Sequence, residues 1–553
     1  MGLSLASLID ETTPETASPA LLEDGLGLSA ADTVARGARI IAIGPAAWER
    51  IRAAQARLAR AIAERRVVYG VTTGFGPLAD RLVRPEDVET LQRNLIYHLA
   101  TGVGAPLSWE AARATALARL CSIAQGWSGA SDPMVEALVA LLNSDLAPWI
   151  PEKGTVGASG DLTPLSHLAL ALMGEGAFID RAGNRIEGGA GLARIGVPPL
   201  TLAARDGLAL VNGTAAMTGI AVLNGARAAA LLEWAEALTG LHAELLRGRS
   251  EAWDPALSAA RPHPGQVAAS DRLRARIEGA PRIDATRAAE RILPQSGDAP
   301  PQDATPLQDP YSIRCAPQIL GAARDALSWH DAVIERELNS ASDNPIFAED
   351  AAIAVHGGNF MGCHAALASD ALKNAVVLTA VLSERQIARL TDEKRNGGLP
   401  PFLNRGRVGL ESGLMGAQVT ASALVAEMRA FGGPASTQSI STNGANQDVV
   451  SLGTIAARGC ADILEDAARV LAIQAIAVAQ GADIVGREAL SPAGGALAER
   501  IRSVVAPLTS DRPLHADIER LSQEIVEQTA GQDCEFYKNP THASLGKNSH
   551  QAR

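Results

Sequence analysis

The sequence has few cysteines and few aromatic residues. Five cysteines occur in 553 residues, and aromatic residues make up only 3% of the chain. The cysteines are Cys121, Cys315, Cys363, Cys460 and Cys534. Because they are odd in number, widely separated and form no C-x-x-C pair, they argue against a disulfide framework and a cysteine-based zinc site. Histidines at H-E-x-x-H spacing are also absent. We therefore expect reduced thiols and no bound metal.

The sequence also lacks a basic stripe, a targeting signal and a long hydrophobic run. The net charge is -12 at pH 7, without Lys and Arg clusters interleaved with aromatic residues, so nucleic-acid binding is not indicated. The N-terminus carries acidic residues where a secretory signal needs basic ones. The apolar stretch 470–479 is interrupted by Gln474 and is too short to span a bilayer. We expect a cytoplasmic protein that contacts neither membrane nor nucleic acid.

Proline is missing from three long segments, 200–254, 346–399 and 435–491. These segments are rich in Ala, Leu, Glu and Arg, which are the strongest helix formers. The sequence therefore predicts a mainly α protein with a central bundle of long antiparallel helices and an N-terminal region rich in loops. We expect this N-terminal region to span 1–212, the helical bundle 213–532, and a polar, flexible tail 533–553.

Two segments interrupt the helical pattern. Six prolines occur within 292–317, which excludes regular helix and predicts an extended loop. The segment 177–195 predicts a small hairpin that turns at Ala182-Gly183-Asn184. Loops of this kind carry functional residues more often than helices do, so we expect part of the site in the proline-rich loop.

A glycine-rich stretch, G-T-V-G-A-S-G-D-L, spans 154–162. It fits neither a phosphate-binding loop, nor a dinucleotide-binding loop, nor the G-x-S-x-G turn of hydrolases. One interpretation is a flexible turn before a helix that Asp161 or Thr163 caps, with Pro164 at the first helical position.

The same stretch permits an internal backbone reaction. In a tight enough bend, the Gly160 nitrogen can attack the Ala158 carbonyl carbon, because glycine tolerates unusual dihedral angles and leaves its nitrogen unhindered. A five-membered ring around Ser159 would result. Loss of two water molecules, one from the ring and one from the Ser159 hydroxyl, would leave an exocyclic methylidene conjugated with an imidazolone. No ordinary side chain supplies such an electrophile.

The chain resembles the aromatic amino acid ammonia-lyases and their related aminomutases. The first block that shows the resemblance is G-T-V-G-A-S-G-D-L-T-P-L (154–165), and matching blocks occur from about Val68 to Gly453. Seven further blocks follow the family's order: V-Y-G-V-T-T-G-F-G (68–76), L-V-N-G-T (210–214), R-P-H-P-G-Q (261–266), Q-D-P-Y-S-I-R-C (308–315), S-D-N-P (342–345), G-G-N-F (357–360) and N-Q-D-V-V-S-L-G (446–453). The resemblance implies that Ala158-Ser159-Gly160 matures to 4-methylideneimidazol-5-one, and that no metal or nucleotide is needed.

The resemblance also implies the residues of catalysis. Elimination of ammonia requires a base for a weakly acidic β-proton and an electron sink for the amine. Tyr69 matches the family's base. Arg314, with Gln308 on the same stretch, matches the clamp on the substrate carboxylate, for which a planar guanidinium is suited. Asn212 and Tyr311 match residues that support the cofactor and the developing charge.

Further positions match the surroundings of the cofactor and the substrate. Phe360 is expected to pack over the ring, and Leu162 to contact the substrate. Asn443, Asn446 and Gln447 match a polar cluster near the amine. Many phenylalanine and histidine lyases have a Glu near the position of Asn443, and this chain lacks it.

Substrate choice is expected to depend on His98-Leu99. Helical spacing after Pro85 puts Val88, Leu91 and Leu95 on one face and brings His98 or Leu99 to its core end. At the matching position phenylalanine lyases typically have Phe-Leu, histidine lyases Ser-His and tyrosine lyases His-Leu. An imidazole can hydrogen-bond a phenolic hydroxyl and so disfavours substrates without one. The resemblance therefore favours L-tyrosine as substrate and trans-4-coumarate and ammonia as products.

The resemblance further implies a fold of the fumarase and aspartase superfamily and a homotetramer whose sites combine loops from several subunits. Three alternatives stay open at this point: a tyrosine 2,3-aminomutase, a phenylalanine or histidine ammonia-lyase, and a non-enzymatic scaffold. A scaffold would have lost the reactive set, whereas Tyr69, the Ala158-Ser159-Gly160 tripeptide, Asn212, Tyr311 and Arg314 are all present.

Overall fold

The computed structural model describes residues 18–290, 308–349 and 354–527, which form two compact units. The first comprises the described residues of Met1–Gly219, Glu335–Gly362 and Ile440–Ser451. The second comprises those of Ile220–Ile334, Cys363–Ser439 and Leu452–Arg553. The expected tail, 533–553, lies outside the described residues.

The first unit combines short helices with small sheets. Its helices are α1 (Leu28–Ala35), α2 (Pro45–Ala63), α3 (Val88–Leu99), α4 (Trp109–Ala124), α5 (Asp132–Leu142), α6 (Leu162–Leu172), α7 (Gly188–Ile195) and α8 (Asp206–Val211). Its strands are β1 (Ala20–Leu22), β2 (Ile41–Ile43), β3 (Val103–Pro106), β4 (Ala147–Pro148), β5 (Pro151–Lys153), β6 (Ala177–Ile179) and β7 (Arg185–Glu187). β1 and β2 pair in parallel, β3 and β5 antiparallel, and β4, β6 and β7 form an antiparallel sheet.

The second unit consists of long helices. α9 (Ala215–Leu245) and α13 (Ala316–Leu338) contribute residues to both units, and the others are α10 (Pro255–Ala260), α11 (Pro264–Arg276), α12 (Tyr311–Arg314), α14 (Cys363–Thr391), α15 (Met415–Phe431), α16 (Gly453–Val485), α17 (Pro492–Val504) and α18 (His515–Glu527). α9, α14 and α16 are 31, 29 and 33 residues long and lie in the three proline-free segments. The prediction of a mainly helical fold with long helices is confirmed.

One apolar core holds the second unit together. It is formed mainly where α9, α13, α14 and α16 pack, and α15, α17 and α18 add residues to it. α9, α14 and α16 are long and apolar enough to cross a membrane, judged by length and composition only. In their most apolar windows 94%, 67% and 78% of the residues are buried inside the protein. The expectation of an apolar run too short to span a bilayer is therefore wrong for α16, whose apolar stretch is longer than 470–479.

Two local predictions need correction. The hairpin extends only from β6 to β7, because 188–195 form helix α7, which ends at Gly196 with φ 76°. Of the proline-rich segment, 291–307 lie outside the described residues, but the rest is not all loop. Pro310 precedes α12 and Pro317 is the second residue of α13. Proline is tolerated there because the first-turn N–H groups have no intrahelical partner.

His242 is completely buried in α9, and neither ring nitrogen has a hydrogen-bond partner among the described residues. Burial, aided by the positive charge of Arg389, lowers the pKa of His242 from 6.5 to about 3. The folded protein therefore holds this histidine neutral, and protonation favours unfolding. The contribution of the neutral His242 to the free energy of unfolding is complete above pH 6.5 and is lost as the pH falls toward 3.

We expect His242→Leu to flatten the loss of stability in acid. In the unsubstituted protein this one group costs about 1.4 kcal/mol of unfolding free energy for each pH unit below the unfolded pKa. Thermal unfolding measured across this pH range should show a shallower decline for the variant. Above pH 6.5 the two proteins should differ only by a constant packing effect. Parallel curves across the whole range would contradict the assignment.

Candidate active site

The Ala158-Ser159-Gly160 tripeptide lies in a sharply bent backbone. Ser159 has φ 54°, Gly157 φ 76° and Gly160 φ 80°, all in the left-handed region. The Gly160 N–H donates to the Gly157 carbonyl (3.3 Å), and the Gly157 N–H donates to the Thr155 hydroxyl (3.0 Å). A left-handed serine is uncommon and costs free energy. The fold therefore holds this segment in a strained, left-handed turn.

Gly160 is pressed against a second glycine, Gly213. The two residues form an isolated parallel β-bridge, and the Asp161 N–H donates to the Gly213 carbonyl (2.7 Å). A Cβ atom added to Gly160 would overlap the Gly213 carbonyl group. Only glycine fits this position, which leaves the Gly160 nitrogen unhindered by a side chain of its own.

The turn is not closed by the helix cap that the sequence suggested. Helix α6 begins at Leu162, and the side chain of Asp161 at its N-cap makes no capping hydrogen bond. Instead, the Asp161 carboxylate accepts from the backbone N–H of Met217 (2.8 Å). Thr163 and Pro164 are the second and third residues of the helix. Interpretation of this stretch as a capped turn with Pro164 at the first position is therefore wrong.

Two amides reach Ser159 from distant parts of the chain. The Asn212 Nδ2 group donates to the Ser159 carbonyl oxygen (3.2 Å), and Gln447 Nε2 donates to the Ser159 hydroxyl (3.4 Å). Asn212 is 4% exposed, and its Oδ1 is a buried atom without a hydrogen-bond partner among the described residues. The two oxygens of Ser159 are thus each bound by a neutral donor.

Gln447 is oriented by its own loop. Its Oε1 accepts from the Thr442 hydroxyl (2.8 Å) and from Asn443 Nδ2 (2.9 Å), so the free end that reaches Ser159 is the amide nitrogen. The backbone closes with a Thr442–Gln447 bridge and a hydrogen bond from the Asn446 N–H to the Asn443 carbonyl (3.1 Å). Of the predicted polar cluster, Gln447 therefore contacts Ser159, while Asn443 supports Gln447.

Tyr69 lies in a turn anchored on both sides. Its neighbours Val68 and Val71 are buried in a small apolar cluster, and Thr72 Oγ1 accepts from the Val68 N–H (2.8 Å). The phenol oxygen of Tyr69 accepts from the backbone N–H of Gly76 (2.8 Å). Phe75 packs edge-on against the Tyr69 ring, with centroids 6.2 Å apart. The phenol is held in one position by this hydrogen bond and by the packing of Phe75.

Sequence reasoning missed two residues that hold this turn. The Tyr69 backbone N–H donates to His356 Nε2 (3.2 Å). Burial and the charge of Arg205 lower the pKa of His356, which favours the neutral ring that this contact requires. The buried Gln92 donates to the Gly70 carbonyl (2.7 Å). The signal for His356 was its place next to the G-G-N-F block, whereas Gln92 had no recognisable signal.

Gln92 also joins the predicted selector helix to Asn212. Its Oε1 accepts from the Leu208 N–H (2.9 Å) in α8, whose C-cap is Asn212. α3, which carries Gln92 and ends with His98 and Leu99, also packs against α6, which begins at Leu162. The tertiary structure thus ties the turn of Tyr69, the helix of His98 and the residue that contacts Ser159 into one network.

His98 is exposed on α3 and Leu99 is half-buried. Of the two residues that helical spacing was expected to bring to the core end of the helix, His98 lies outside the buried face of Gln92, Leu95 and Ile96, whereas Leu99 is half-buried. His98 Nδ1 lies 3.0 Å from the Asn94 carbonyl oxygen. A carbonyl only accepts, so Nδ1 carries the hydrogen and Nε2 of the neutral ring is an acceptor.

Phe360 is half-buried in a turn before α14.

Three predicted residues belong to the second unit. Tyr311 and Arg314 form α12, and Gln308 is exposed just before it. Arg314 Nε donates to the Asp309 carbonyl (2.9 Å), and its guanidinium lies over the Tyr311 ring, 4.6 Å from the centroid. Tyr311 is 68% exposed. Arg314 is therefore oriented by its own short helix.

Buried side chains fix the position of α12. Trp253 Nε1 donates to the Ile313 carbonyl (3.1 Å), and Gln386 Nε2 donates to the Ser312 carbonyl (2.8 Å).

The described residues contain no group of three or more His, Cys, Asp or Glu side chains arranged to hold a metal ion.

We expect Gly160→Ala to destabilise the protein more than Gly183→Ala. Both glycines have nearly the same φ, 80° and 82°, so each alanine carries the left-handed penalty of roughly 1–2 kcal/mol. Gly183 has open space around it, whereas a methyl group on Gly160 meets the Gly213 carbonyl. Overlap of this kind adds about 1–3 kcal/mol. Thermal unfolding of the two variants measures the difference, and equal losses would contradict the contact.

Comparison with known proteins identifies the family. The sequence model of the family described as "Aromatic amino acid lyase" matches residues 26–503. A tyrosine ammonia-lyase from Cereibacter sphaeroides is 56% identical over 512 residues, covering 92% of this chain and 97% of that protein. A histidine ammonia-lyase from Symbiobacterium thermophilum is 42% identical over 505 residues, covering 91% and 96%.

A solved structure agrees with the sequence relatives. Tyrosine aminomutase from Streptomyces globisporus superposes with a TM-score of 0.86 at 38% identity, covering 94% of this chain and 98% of that chain. The family match spans most of the chain and includes the bent Ala158-Ser159-Gly160 segment. The protein therefore belongs to the aromatic amino acid lyase family and is a carbon–nitrogen lyase.

Proposed function

We propose that this protein is a tyrosine ammonia-lyase, which eliminates ammonia from L-tyrosine to give trans-4-coumarate. The observation that carries the lyase chemistry is the strained turn of Ala158-Ser159-Gly160 with Asn212 bound to the Ser159 carbonyl. The substrate is supported by the His98-Leu99 pair and by the 56% identical tyrosine ammonia-lyase. Cytoplasmic location and a homotetramer with shared sites complete the proposal.

The proposed cofactor is 4-methylideneimidazol-5-one, formed from the tripeptide itself. The Gly160 nitrogen would bond to the Ala158 carbonyl carbon. The carbonyl oxygen would leave as the first water with the hydrogens of the Gly160 and Ser159 nitrogens, and a carbon–nitrogen double bond would join the Ala158 carbon to the Ser159 nitrogen. The Ser159 hydroxyl and the hydrogen on its Cα leave as the second, and a carbon–carbon double bond remains. The residues fit this group: glycine is required at position 160, the backbone is bent, and donors face both Ser159 oxygens.

The cofactor would supply an electrophile that takes the electron pair of the substrate amine. Asn212 faces the Ser159 carbonyl oxygen, which becomes the ring oxygen, and its Nδ2 donor stabilises negative charge there. The buried, unpartnered Asn212 Oδ1 is consistent with a site built for a group other than the unmodified peptide. Phe360 is proposed to pack over the ring and limit its orientation.

Tyr69 is proposed to remove the β-proton of the substrate. The Gly76 N–H, 2.8 Å from the phenol oxygen, holds that oxygen in place for this step. Because Val68, Thr72 and His356 hold the turn, the oxygen stays aligned through turnover. A positioned base of this kind contributes roughly 10²–10⁴-fold to rate.

The remaining site residues are proposed to bind the polar ends of the substrate. Arg314 takes the carboxylate through its planar guanidinium, with Gln308 beside it, and Tyr311 stacks on Arg314 and supports the cofactor. Asn443, Asn446 and Gln447 are proposed near the amine.

His98 is proposed to accept the phenolic hydroxyl of tyrosine at Nε2. The Asn94 carbonyl holds the hydrogen on Nδ1, which makes Nε2 the acceptor. A phenol O–H can satisfy this acceptor, and a phenyl ring cannot. Leu99 and Leu162 are proposed to contact the apolar part of the ring.

A tyrosine 2,3-aminomutase is the second candidate. The observation in its favour is the TM-score of 0.86 with the Streptomyces globisporus aminomutase. Such an enzyme would use the same electrophile, base and clamp and return ammonia to the β-carbon. Chromatography of the products formed from L-tyrosine separates the two, because accumulation of β-tyrosine in place of coumarate would replace the lyase assignment.

We expect Ser159→Ala to abolish the cofactor and leave a folded protein. Without the hydroxyl there is no second water to lose and no methylidene to form. Activity on tyrosine should fall roughly a thousandfold or more, as on losing a covalent catalytic group. The segment 154–162 should lose at most the one water of ring closure and never the second. In the matched control Ser166→Ala, which removes a buried hydroxyl bonded to the Thr163 carbonyl, that segment should still lack two water molecules. Full activity of the Ser159 variant would refute the cofactor.

We expect His98→Phe to shift preference from tyrosine toward phenylalanine. The ratio of kcat/KM for the two substrates should change by roughly 10- to 100-fold, the worth of one hydrogen bond to a buried hydroxyl. The neighbouring Tyr97→Phe, which removes a hydroxyl bonded to Glu175, provides the control and should keep the original ratio. An unchanged ratio in the His98 variant would show that another residue selects the substrate.

A further inference from the structure

Three ionic side chains of the first unit lie completely buried behind the candidate active site. Arg119, Arg205 and Asp343 have no exposed side-chain surface. Arg205 binds Asp343 with both Nη atoms (2.8 and 2.9 Å). Arg119 Nη2 lies 3.5 Å from the same carboxylate. We refer to these three residues as the buried triad. It carries two positive charges and one negative charge.

Arg119 is not needed to neutralise Asp343. The bidentate pair with Arg205 already compensates the carboxylate, and the contact of Arg119 at 3.5 Å is long for a charged hydrogen bond. Burying an additional cation is costly unless its donors find strong partners. The shortest partner of Arg119 is the Asn212 carbonyl oxygen, at 2.6 Å from Nη1. The guanidinium that Asp343 does not need therefore binds the carbonyl of the peptide between Asn212 and Gly213.

That peptide is packed directly on the guanidinium. A Cβ atom added to Gly213 would overlap Arg119 Nη1 and the Ser342 carbonyl. The next residue is also held, since the Thr214 N–H donates to the Ser342 hydroxyl (3.2 Å). The backbone over 212–214 therefore has little freedom to move away from Arg119.

The two residues joined by this peptide, Asn212 and Gly213, form one wall of the Ser159 turn. The Gly213 carbonyl accepts from the Asp161 N–H (2.7 Å) and touches Gly160, while Asn212 Nδ2 donates to the Ser159 carbonyl (3.2 Å). Arg119 is thus separated from Ser159 by Asn212 and from Gly160 by Gly213. A shift of these two residues would act directly on Ser159 and Gly160.

We propose that Arg119, supported by Asp343 and Arg205, is a positioning residue for the formation of the cofactor. It holds the Asn212–Gly213 peptide against the turn so that the Gly160 nitrogen meets the Ala158 carbonyl carbon and both waters are lost. This inference rests on the proposed cofactor and goes beyond it. It gives Arg119, which binds neither the tripeptide nor the substrate directly, a role in forming the cofactor.

The experiment follows dehydration of the chain rather than turnover. The protein and its variants are made by cell-free synthesis and sampled over time, and the mass of the segment 154–162 shows the fraction that has lost two water molecules. In Arg119→Met the Arg205–Asp343 pair stays intact and neutral, and the Asn212 carbonyl loses its cationic donor. We expect the rate of dehydration to fall by roughly 10- to 100-fold, the scale on which misplacement of reacting groups acts.

Two further substitutions keep the test decisive. Arg119→Gln is neutral and polar, and it should dehydrate as slowly as the Met variant; it decides the question if the Met variant does not fold. Arg119→Lys keeps the positive charge on a single donor nitrogen, and it should dehydrate faster than either neutral variant. The positioning role predicts this order, whereas mere filling of the cavity predicts that Met is best tolerated.

Arg113→Met is the matched structural control. Arg113 is another buried arginine, bonded to the carbonyls of Val34, Ala35, Leu141, Leu142, Ser144 and Leu146. Its loss should lower the melting temperature and leave dehydration at the rate of the unsubstituted protein. If Arg113→Met slows dehydration as much as Arg119→Met at equal loss of stability, the inference is overturned.

The outcomes separate this inference from the proposed function. If the unsubstituted protein never loses two waters, the cofactor itself is refuted and the inference falls with it. If the unsubstituted protein and both neutral Arg119 variants lose them equally fast, the cofactor stands and only the role of Arg119 is refuted.

Discussion

The contact between the backbones of Gly160 and Gly213 is the constraint on which the site depends. It brings two segments more than fifty positions apart in the chain so close that Gly160 cannot carry a side chain, while Arg119 and Ser342 leave no room for one on Gly213. Ser159 is bent into the left-handed region on one side, and Asn212 faces its carbonyl on the other. A strained turn of this kind persists only because the surrounding structure over-determines it.

The support for this contact comes from polar groups that the protein buries at a cost. Asp161 binds the Met217 N–H in place of capping its own helix, and Gln92 joins the Tyr69 turn to α8. Each of these groups is satisfied by backbone partners, so its burial favours one arrangement of the loops over others. The apolar cores keep each unit folded, while the polar contacts decide where the reactive atoms lie.

The motifs in the sequence predicted much of the chemistry. Gly157, Ser159 and Gly160 could be read as a reactive turn because glycine at the attacking nitrogen has a chemical reason, and the proline-free segments predicted α9, α14 and α16 because helix propensity is local. The same local reasoning was wrong where long-range contacts decide. Thr163 and Pro164 have the composition of a helix start, but the Asp161 carboxylate binds the Met217 N–H. His98 is exposed because it lies off the face of α3 that Gln92, Leu95 and Ile96 bury.

Residue types and their order along the chain were enough to predict the family and the helical architecture, and they supplied the tripeptide from which the cofactor is proposed to form. Only the tertiary structure decided which side chains reach Ser159, which nitrogen of His98 carries the hydrogen, and which buried cation lies behind Asn212. The contacts of Ser159 and Asn212 join residues far apart in sequence, and a hydrogen bond is made or lost by differences in distance of a few tenths of an ångström that no local pattern encodes.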